Sequence, residues 1–445
     1  MTTRQHLKTN FLLSYPVMLS MLGQVMTGVA DSIMIGRTGA TPLAAASLAN
    51  IVFFLLFTFG IGVSYSITPF VAEADGKNDK SLIVDLLKNS FLINMVAGVL
   101  LTVIGLLSNH LLYFANQPED VVDLAIPYLQ IIALAIIPSM VFQTYRQFGE
   151  GLHSTRIAMI IVLSCNLLNI LLNYLLIYGK YGFPELGLNG AGWATLISRI
   201  LMGVLMAAYI YYGKKFRDYQ AGFSIGSYSR KLINRMLHVG IPAGIQFIFE
   251  VSAFGFSAIM MGWMGTEALA AHQIAINLAS ISYMTTSGIG AAATIRVGSY
   301  LGKQDIPTLR KAGFTLMNMA LAIMTLWGIV FIFWRQELPM IYINDPAVIS
   351  IAAPLLIIAG LFQLSDGMQV VCAGALRGLQ DVKIPSLMIL IAYWVIGLPL
   401  GYWLGFTMEY GPNGIWIGLL IGLTVTATAM FVRFKRLTKK LLPKT

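Results

Sequence analysis

The amino-acid sequence repeats itself once, and this duplication is the feature that most constrains the fold. Pro16 returns as Pro242, and Gly-Lys-Asn-Asp at 76–79 returns as Gly-Lys-Gln-Asp at 302–305, both 226 positions later. Near the end of the repeat the offset is still 224, the distance in sequence between Asn189 and its counterpart Asn413. So constant an offset across half the chain indicates two homologous halves. In an apolar chain, such a duplication is typical of transporters.

The composition predicts a chain that lies in lipid rather than in water. Hydrophobic residues make up 57% of the sequence, charged residues 11%, and the mean hydropathy is +0.76. Apolar stretches of about 20 residues or more predict membrane-spanning helices, whereas barrel strands are about half as long and alternate in polarity. We predict twelve spans, six in each half, at 10–35, 45–72, 90–114, 121–144, 157–179, 190–212, 237–262, 274–298, 312–334, 348–373, 384–408 and 414–432.

Basic residues predict the orientation of these spans. Of the 29 Lys and Arg residues, 25 lie in the two tails, in alternate loops or, in the case of Arg296, at the adjoining end of a predicted span. The opposite loops carry only Arg37, Lys180 and Arg335, and Arg199 lies inside a span. Because basic loops stay in the cytoplasm, we expect both termini to face it. The net charge of +10 then reflects topology, and no basic face for a nucleic acid is predicted.

The two halves are predicted to form two lobes of an all-α integral membrane fold. The only sizeable polar segment, residues 213–235, carries six basic residues and is predicted to be a cytoplasmic linker. It separates an N-terminal six-helix lobe, 1–212, from a C-terminal six-helix lobe, 236–445, which ends in a basic cytoplasmic tail. Since six is even, both halves enter the membrane from the same side. Such parallel repeats are related by a pseudo-two-fold axis along the membrane normal.

Motifs of nucleotide-driven or enzymatic chemistry are missing from the sequence. It contains no G-x-x-x-x-G-K-[ST], no H-E-x-x-H and no C-x-x-C, and no Ser/His/Asp constellation. Cys165 and Cys372 form no disulfide or metal-binding pattern, and we interpret them as packing residues. We therefore expect no enzyme and no cofactor, and a transport step driven by an ion gradient or by the gradient of the substrate itself.

Three carboxylates lie inside apolar spans: Asp31 on the first, Glu250 on the seventh and Asp366 on the tenth. A charge at bilayer depth costs about 2.5–3.5 kcal/mol on insertion scales, so its default interpretation is functional. Such a group can exchange a proton or hold a sodium ion. The alternative is a carboxylate that accepts a hydrogen bond from a neighbouring hydroxyl or that lies at the membrane interface. This alternative applies most to Asp31, which lies near the outer end of its predicted helix.

Polar side chains in the first half can join Asp31. Asn169 and Asn173 are four residues apart, so they share one face of the fifth span, and Thr195 lies on the sixth. These groups can help Asp31 to coordinate a cation, or the amides can bond neighbouring helices instead. Arg199, also on the sixth span, needs a partner or must extend to the interface.

In the second half, Tyr283 on the eighth span can reach the region of Glu250 and Asp366, or it can be a packing or interfacial tyrosine. Counting residues at about 1.5 Å each places Glu250 near mid-depth and Asp366 several ångströms nearer the cytoplasm. Whether the two carboxylates pair stays open at this stage.

Four segments carry a resemblance to a known family. They are V-A-D-S-I-M-I-G-R-T-G around Asp31, Q-F-I-F-E-V around Glu250, L-F-Q-L-S-D-G-M-Q around Asp366 and C-A-G-A-L-R-G-L-Q-D around Arg377. With its two-times-six arrangement, the chain resembles the multidrug and toxic compound extrusion (MATE) family over essentially its whole length. An acidic pair in the C-terminal lobe makes it similar to the NorM-like branch.

The resemblance implies a Na⁺- or H⁺-coupled antiporter of the bacterial cytoplasmic (inner) membrane. It implies export of organic, often cationic, drugs by alternating access, with small-molecule substrates and the lipid bilayer as partners, and we expect a monomer. By the same resemblance, the cation sites comprise Glu250, Asp366 and Tyr283 in the C-terminal lobe and Asp31, Asn169, Asn173 and Thr195 in the N-terminal lobe. An aromatic hydroxyl of some relatives is replaced by Phe362, which leaves Na⁺ and H⁺ both open.

Three alternatives predict other sequence features. A major-facilitator transporter carries G-x-x-x-D-[RK]-x-G-[RK]-[RK] after its second span, where this chain reads EADGKNDKSLIVDLLK. A lipid-linked precursor flippase of the same wider superfamily has more spans and a strongly basic cavity, whereas only Arg199 is a clear intramembrane base here. A membrane enzyme needs a sizeable soluble domain, and the longest polar segment here has 23 residues.

Overall fold

A computed structural model of the chain describes residues 3–113, 118–224, 226 and 228–442. Throughout these residues the secondary structure is helical, without a strand, and this confirms the all-α prediction. The helices of the first half are α1 (Thr3–Gly36), α2 (Ala40–Ser64), α3 (Ile67–Gly76), α4 (Lys80–Leu107), α5 (Asn109–Tyr113), α6 (Glu119–Leu134), α7 (Ile136–Gly151), α8 (Arg156–Tyr178) and α9 (Gly187–Tyr212).

The second half repeats this succession of long helices. It comprises α10 (Arg230–Met264), α11 (Thr266–Gly302), α12 (Ile306–Phe333), α13 (Glu337–Met340), α14 (Pro346–Gly378), α15 (Lys383–Leu390), α16 (Leu398–Tyr402) and α17 (Gly411–Lys440). Two π-helical segments, Ile391–Gly397 and Trp403–Thr407, flank α16. Short 3₁₀ segments lie at Lys180–Gly182 and Lys214–Phe223.

Eleven helical stretches among the described residues are long and apolar enough to cross a membrane. The predicted eighth span, 274–298, lies in α11, which has 37 residues and is therefore also long enough. Its many Ser, Thr and Gly residues make it less apolar than the other eleven. With α11, each of the twelve predicted spans corresponds to a long helical stretch.

The helix that carries the predicted third span begins before residue 90. Helix α4 begins ten residues earlier, at Lys80, where the Asp79 side chain accepts a hydrogen bond from the backbone N–H of Leu82. The polar residues at the start of this helix hid it from a hydropathy argument, although an Asp at the N-cap is a helix-start signal. The predicted end of this span, residue 114, lies outside the described residues.

The chain divides into two compact units. The N-unit comprises Leu19–Gly244, and the C-unit comprises the described residues through Met18 together with those from Ile245 onward. Two helices therefore continue from one unit into the other, α1 after Met18 and α10 after Gly244. The two break points are 226 residues apart, which is the offset of the sequence repeat. The lobe boundaries at 212 and 236 stay a prediction.

Each break point follows a proline by two residues, Pro16 in α1 and Pro242 in α10. A proline inside a helix removes one backbone hydrogen bond and clashes with the preceding turn, so it is where a helix bends most readily. The duplicated prolines therefore mark the points at which these helices pass from one unit to the other.

The 3₁₀ segment Lys214–Phe223, before α10, packs against other helices of the N-unit. The Phe216 ring of the 3₁₀ segment is fully buried, and the Phe223 ring stacks on Tyr145 with centroids 5.2 Å apart. Lys215 Nζ donates a hydrogen bond of 2.5 Å to the carbonyl of Leu152. Burial lowers the pKa of the Lys215 ammonium.

Candidate functional site

In the C-unit, the structure joins Glu250 to two residues that the sequence argument missed. Gln369 Nε2 on α14 donates a hydrogen bond of 2.5 Å to Glu250 Oε1 on α10. Tyr393, in the π-helical segment, donates from its hydroxyl to Gln369 Oε1 at 3.2 Å. Gln369 and Tyr393 are both buried, so the chain Tyr393–Gln369–Glu250 lies inside the unit.

Asp366 belongs to the same cluster. It precedes Gln369 by three residues on α14, so the two side chains lie on the same face of that helix. Asp366 is only 7% exposed, and it is the strongest charged influence on the carboxylate of Glu250, ahead of Arg377. The structure thus places the two carboxylates near enough for their charges to interact. Two acidic groups so placed favour a proton or a metal cation between them.

Tyr283 lies at the edge of this cluster. It is half-buried on α11, and its carbonyl accepts hydrogen bonds of 3.0 Å from Thr286 and Ser287. It interacts electrostatically with Tyr393, the buried residue that also faces both carboxylates. The structure therefore places Tyr283 within electrostatic reach of Tyr393, in the region that the sequence predicted.

Aromatic side chains form a packed cluster next to Glu250 in the C-unit. The Phe254 ring, one turn after Glu250, lies 5.8 Å from the Tyr393 ring and 6.1 Å from the Phe362 ring, centroid to centroid. Phe362 is itself buried against Trp416, with ring centroids 5.9 Å apart. Position 362 therefore contributes a hydrophobic wall and no oxygen ligand. Glu250, Asp366 and Gln369 each carry a side-chain oxygen that can serve a cation.

A second polar cluster lies in the N-unit around Asp31. Asn173 Nδ2 on α8 donates a hydrogen bond of 2.5 Å to Asp31 Oδ1 on α1. The same amide approaches Asn169 Oδ1 at 3.3 Å, as their shared helix face predicts. Asn169 and Asn173 are buried, whereas Asp31 is partly buried. The structure therefore brings together three of the four residues predicted for this lobe through hydrogen bonds.

A small cavity of about 30 Å³ completes the N-unit site and brings in the fourth residue, Thr195. This volume suffices for a water molecule or a small ion. Two side chains that line this cavity each carry a buried polar atom without a hydrogen-bond partner among the described residues, Asn166 Nδ2 and Ser198 Oγ. Asn173 Oδ1, beside Asp31, is unpartnered in the same way. The cavity is lined by Thr27, Asp31, Asn166, Asn169, Thr195, Ser198, Arg199 and Met202.

Arg199 finds its partners inside the N-unit. Its guanidinium carbon lies 5.6 Å from the centroid of the Phe57 ring, and its Nη1 lies 3.7 Å from Met202 Sδ. It also interacts electrostatically with Asp31 across the cavity. The N-unit site therefore contains one carboxylate and one permanent positive charge, whereas the C-unit site contains two carboxylates. The sequence argument left the partner of Arg199 open.

Comparison with known proteins matches nearly the whole chain. A model of the MatE family matches residues 16–175 and 242–403, two segments that begin at the two prolines of the repeat. The multidrug resistance protein NorM of Photobacterium profundum is 34% identical over 429 residues, which cover 95% of this chain and 94% of that protein. The multidrug resistance protein MdtK of Yersinia pseudotuberculosis is 33% identical over 434 residues, covering 96% of this chain and 95% of MdtK.

The fold is similar to that of solved structures as well. The crystal structure of MATE in the bent conformation superimposes with a TM-score of 0.90 at 21% identity, covering 99% of this chain and 98% of that one. At this identity the match speaks for the fold alone. It agrees with the predicted all-α architecture of two six-helix halves.

Proposed function

Because this chain belongs to the MatE family, we propose that it exports organic, often cationic, compounds across the bacterial cytoplasmic membrane in exchange for Na⁺ or H⁺. Two relatives named for multidrug resistance, aligned over nearly their full length, support drugs as the substrates. The observation that carries the proposal is the Glu250–Asp366 cluster, because it places two carboxylates beside one uncharged amide network inside a spanning helix bundle.

The C-unit cluster is suited to exchange one cation for another. Glu250 and Asp366 repel each other when both are ionised, so a proton, a sodium ion or a cationic drug near them lowers the energy of the site. A coupling ion and a cationic substrate then compete for the same negative charge. Gln369 holds the Glu250 carboxylate by a neutral hydrogen bond, so the cluster keeps its geometry whichever cation is present.

We place this exchange in an alternating-access cycle. The substrate binds from the cytoplasm, an ion from outside replaces it, and the ion shifts the equilibrium by its differential affinity for the two states. The membrane potential contributes about 2.3 kcal/mol per charge per 100 mV. In this cycle both termini face the cytoplasm, and a monomer is the transporting species.

Asp31, Asn169, Asn173 and Thr195 form, in this proposal, a second cation site of lower affinity. Arg199 supplies a fixed positive charge beside Asp31, and this charge competes with an entering cation. The unpartnered Asn173 Oδ1 and the small cavity support a ligand there. We therefore assign the main coupling step to the C-unit, with Glu250 and Asp366 as its cation ligands and Tyr283 beside them.

Transport in proteoliposomes tests the proposal. Purified protein is reconstituted in vesicles, and a pH gradient and a sodium gradient are imposed separately while uptake of a fluorescent organic cation is followed. We expect one of the two gradients to drive transport against the substrate gradient. If neither gradient drives transport of any organic cation tested, the antiport proposal is overturned.

A further inference from the structure

We propose that a groove on the C-unit, formed by α17 and α15, binds an anionic phospholipid. The groove has a volume of about 700 Å³, and its outer wall is exposed at Thr424, Val425 and Thr428. Nine of the residues that line it lie on α17 and one lies on α15. They are Met388, Thr424, Val425, Thr428, Ala429, Val432, Arg433, Arg436, Leu437 and Lys440.

The groove changes character along α17. Its lining is uncharged and mostly apolar through Val432, and basic residues follow at Arg433, Arg436 and Lys440. At about 1.5 Å per residue, the path from Ala429 to Lys440 spans roughly 16 Å. One face of one helix thus presents an apolar surface followed by a basic one. The apolar part suits the acyl chain of a lipid, and the basic part suits an anionic headgroup.

The basic end of the groove carries charge that the protein does not neutralise. Arg433 is paired with Asp381, to which its Nε and Nη2 atoms donate hydrogen bonds. Arg436 and Lys440 are exposed, and neither forms an ion pair within the described part of the chain. Two positive charges therefore remain available at the point where the spanning helix ends.

An anionic phospholipid fits this surface better than other ligands. A soluble anion gains nothing from the apolar wall of Val425, Ala429 and Val432, and a zwitterionic lipid carries no net charge for Arg436 and Lys440. Basic pockets between spanning helices on the cytoplasmic side bind anionic headgroups in other membrane proteins. The order of apolar and basic residues therefore selects a lipid with one or more phosphate charges.

Native mass spectrometry of the full-length protein in detergent, titrated with phosphatidylglycerol, tests this site. The test variant is Arg436→Gln/Lys440→Gln. The matched control is Lys435→Gln/Lys439→Gln, which removes two exposed charges from the same two turns of α17 but from outside the groove. Each basic residue near an anionic lipid surface adds to the binding affinity, so we expect the test variant to bind phosphatidylglycerol about tenfold more weakly than the unchanged protein. The affinity of the control variant should fall by less than about threefold.

A second pair of variants tests the apolar part of the groove without changing any charge. Ala429→Trp places a bulky side chain in the apolar part of the groove and is expected to reduce phosphatidylglycerol binding. Ile421→Trp, at an exposed position outside the groove, is expected to leave that binding unchanged. Phosphatidylcholine with the same acyl chains is expected to bind more weakly, and inorganic phosphate is expected not to compete. Equal losses in the two charge variants would indicate general attraction to the membrane surface and overturn the proposal, as would competition by phosphate.

Discussion

Gln369 on α14 donates a hydrogen bond of 2.5 Å to Glu250 on α10, and this contact joins two helices that carry the acidic residues of the C-unit. A glutamine can hold a carboxylate in place without adding a charge. The amide also accepts from the Tyr393 hydroxyl, so its orientation is fixed from both ends. The electrostatic balance of the cluster therefore depends on Asp366, Glu250, the nearby Arg377 and whichever cation binds.

Replacing Glu250 with Gln tests the charge of this cluster. The substitution keeps the size of the side chain but removes one of two negative charges. Because coupling requires an ion that binds the two states differently, we expect the rate of ion-driven efflux to fall by at least about tenfold. Efflux of a fluorescent organic cation from vesicles measures the effect, with Asp366→Asn as the companion variant. Glu267→Gln, at an exposed carboxylate of α11, is the control and should transport normally.

Replacing Gln369 with Leu tests its role in holding the carboxylate. Loss of a hydrogen bond to a charged group removes about 1.5–3 kcal/mol of stabilisation from ionised Glu250. The carboxylate then binds a coupling cation more tightly, so we expect the half-saturating ion concentration to fall by about tenfold. The concentration dependence of transport on H⁺ or Na⁺ measures this change.

The control for Gln369 lies two turns earlier on the same helix. Gln363 accepts a hydrogen bond of 2.7 Å from Ser282 instead of contacting Glu250. Gln363→Leu therefore replaces a buried amide on α14 without removing the hydrogen bond to Glu250, and it should leave the ion dependence unchanged. An equal shift in both variants would show that Gln369 has only a packing role.

Asp31 and Arg199 are expected to be energetically coupled in the N-unit. Arg199→Gln removes the positive charge that faces Asp31, and Asp31→Asn removes the negative one. Since each charge offsets the other, the double variant should be less destabilised than the sum of the single variants, by about 1 kcal/mol. Thermal unfolding in detergent measures the three stabilities. Pairing Arg199→Gln with Glu250→Gln, in the other unit, provides a control that should be additive.

The helices and the candidate acidic residues could be predicted from the sequence because both depend on local chemistry. A carboxylate in an apolar span stands out wherever it lies, and a spacing of four places Asn169 and Asn173 on one face whatever packs against them. The same reasoning left the pairing of Glu250 and Asp366 open. Their relative depth depends on where each helix begins, and a shift of a few residues is as large as the difference in question.

Gln369 and Tyr393 were missed for different physical reasons. Gln369 follows Asp366 by three residues, so its position on the same face of α14 was available from the sequence. Tyr393 lies in a π-helical segment, whose extra residue changes the direction of every side chain that follows. The points where α1 and α10 pass between units are likewise hidden, because periodicity shows which face of a helix is buried but not against which helix.

Gly62 is expected to be essential for packing within the N-unit. A Cβ atom on Gly62 of α2 would lie 2.4 Å from Cα of Gly244 on α10, and backbone atoms cannot move aside as a flexible side chain can. Gly28, in α1 of the same unit, has no atom within 4 Å of the corresponding point.

Replacing glycine with alanine inside a helix gains about 1 kcal/mol when nothing else changes, so Gly28→Ala should raise the unfolding temperature slightly. For Gly62→Ala, the clash of about 1–3 kcal/mol outweighs that gain and the temperature should fall. Thermal unfolding of both variants in the same detergent measures the difference. Equal stability of the two would mean that α2 and α10 do not approach as closely as the two glycines allow.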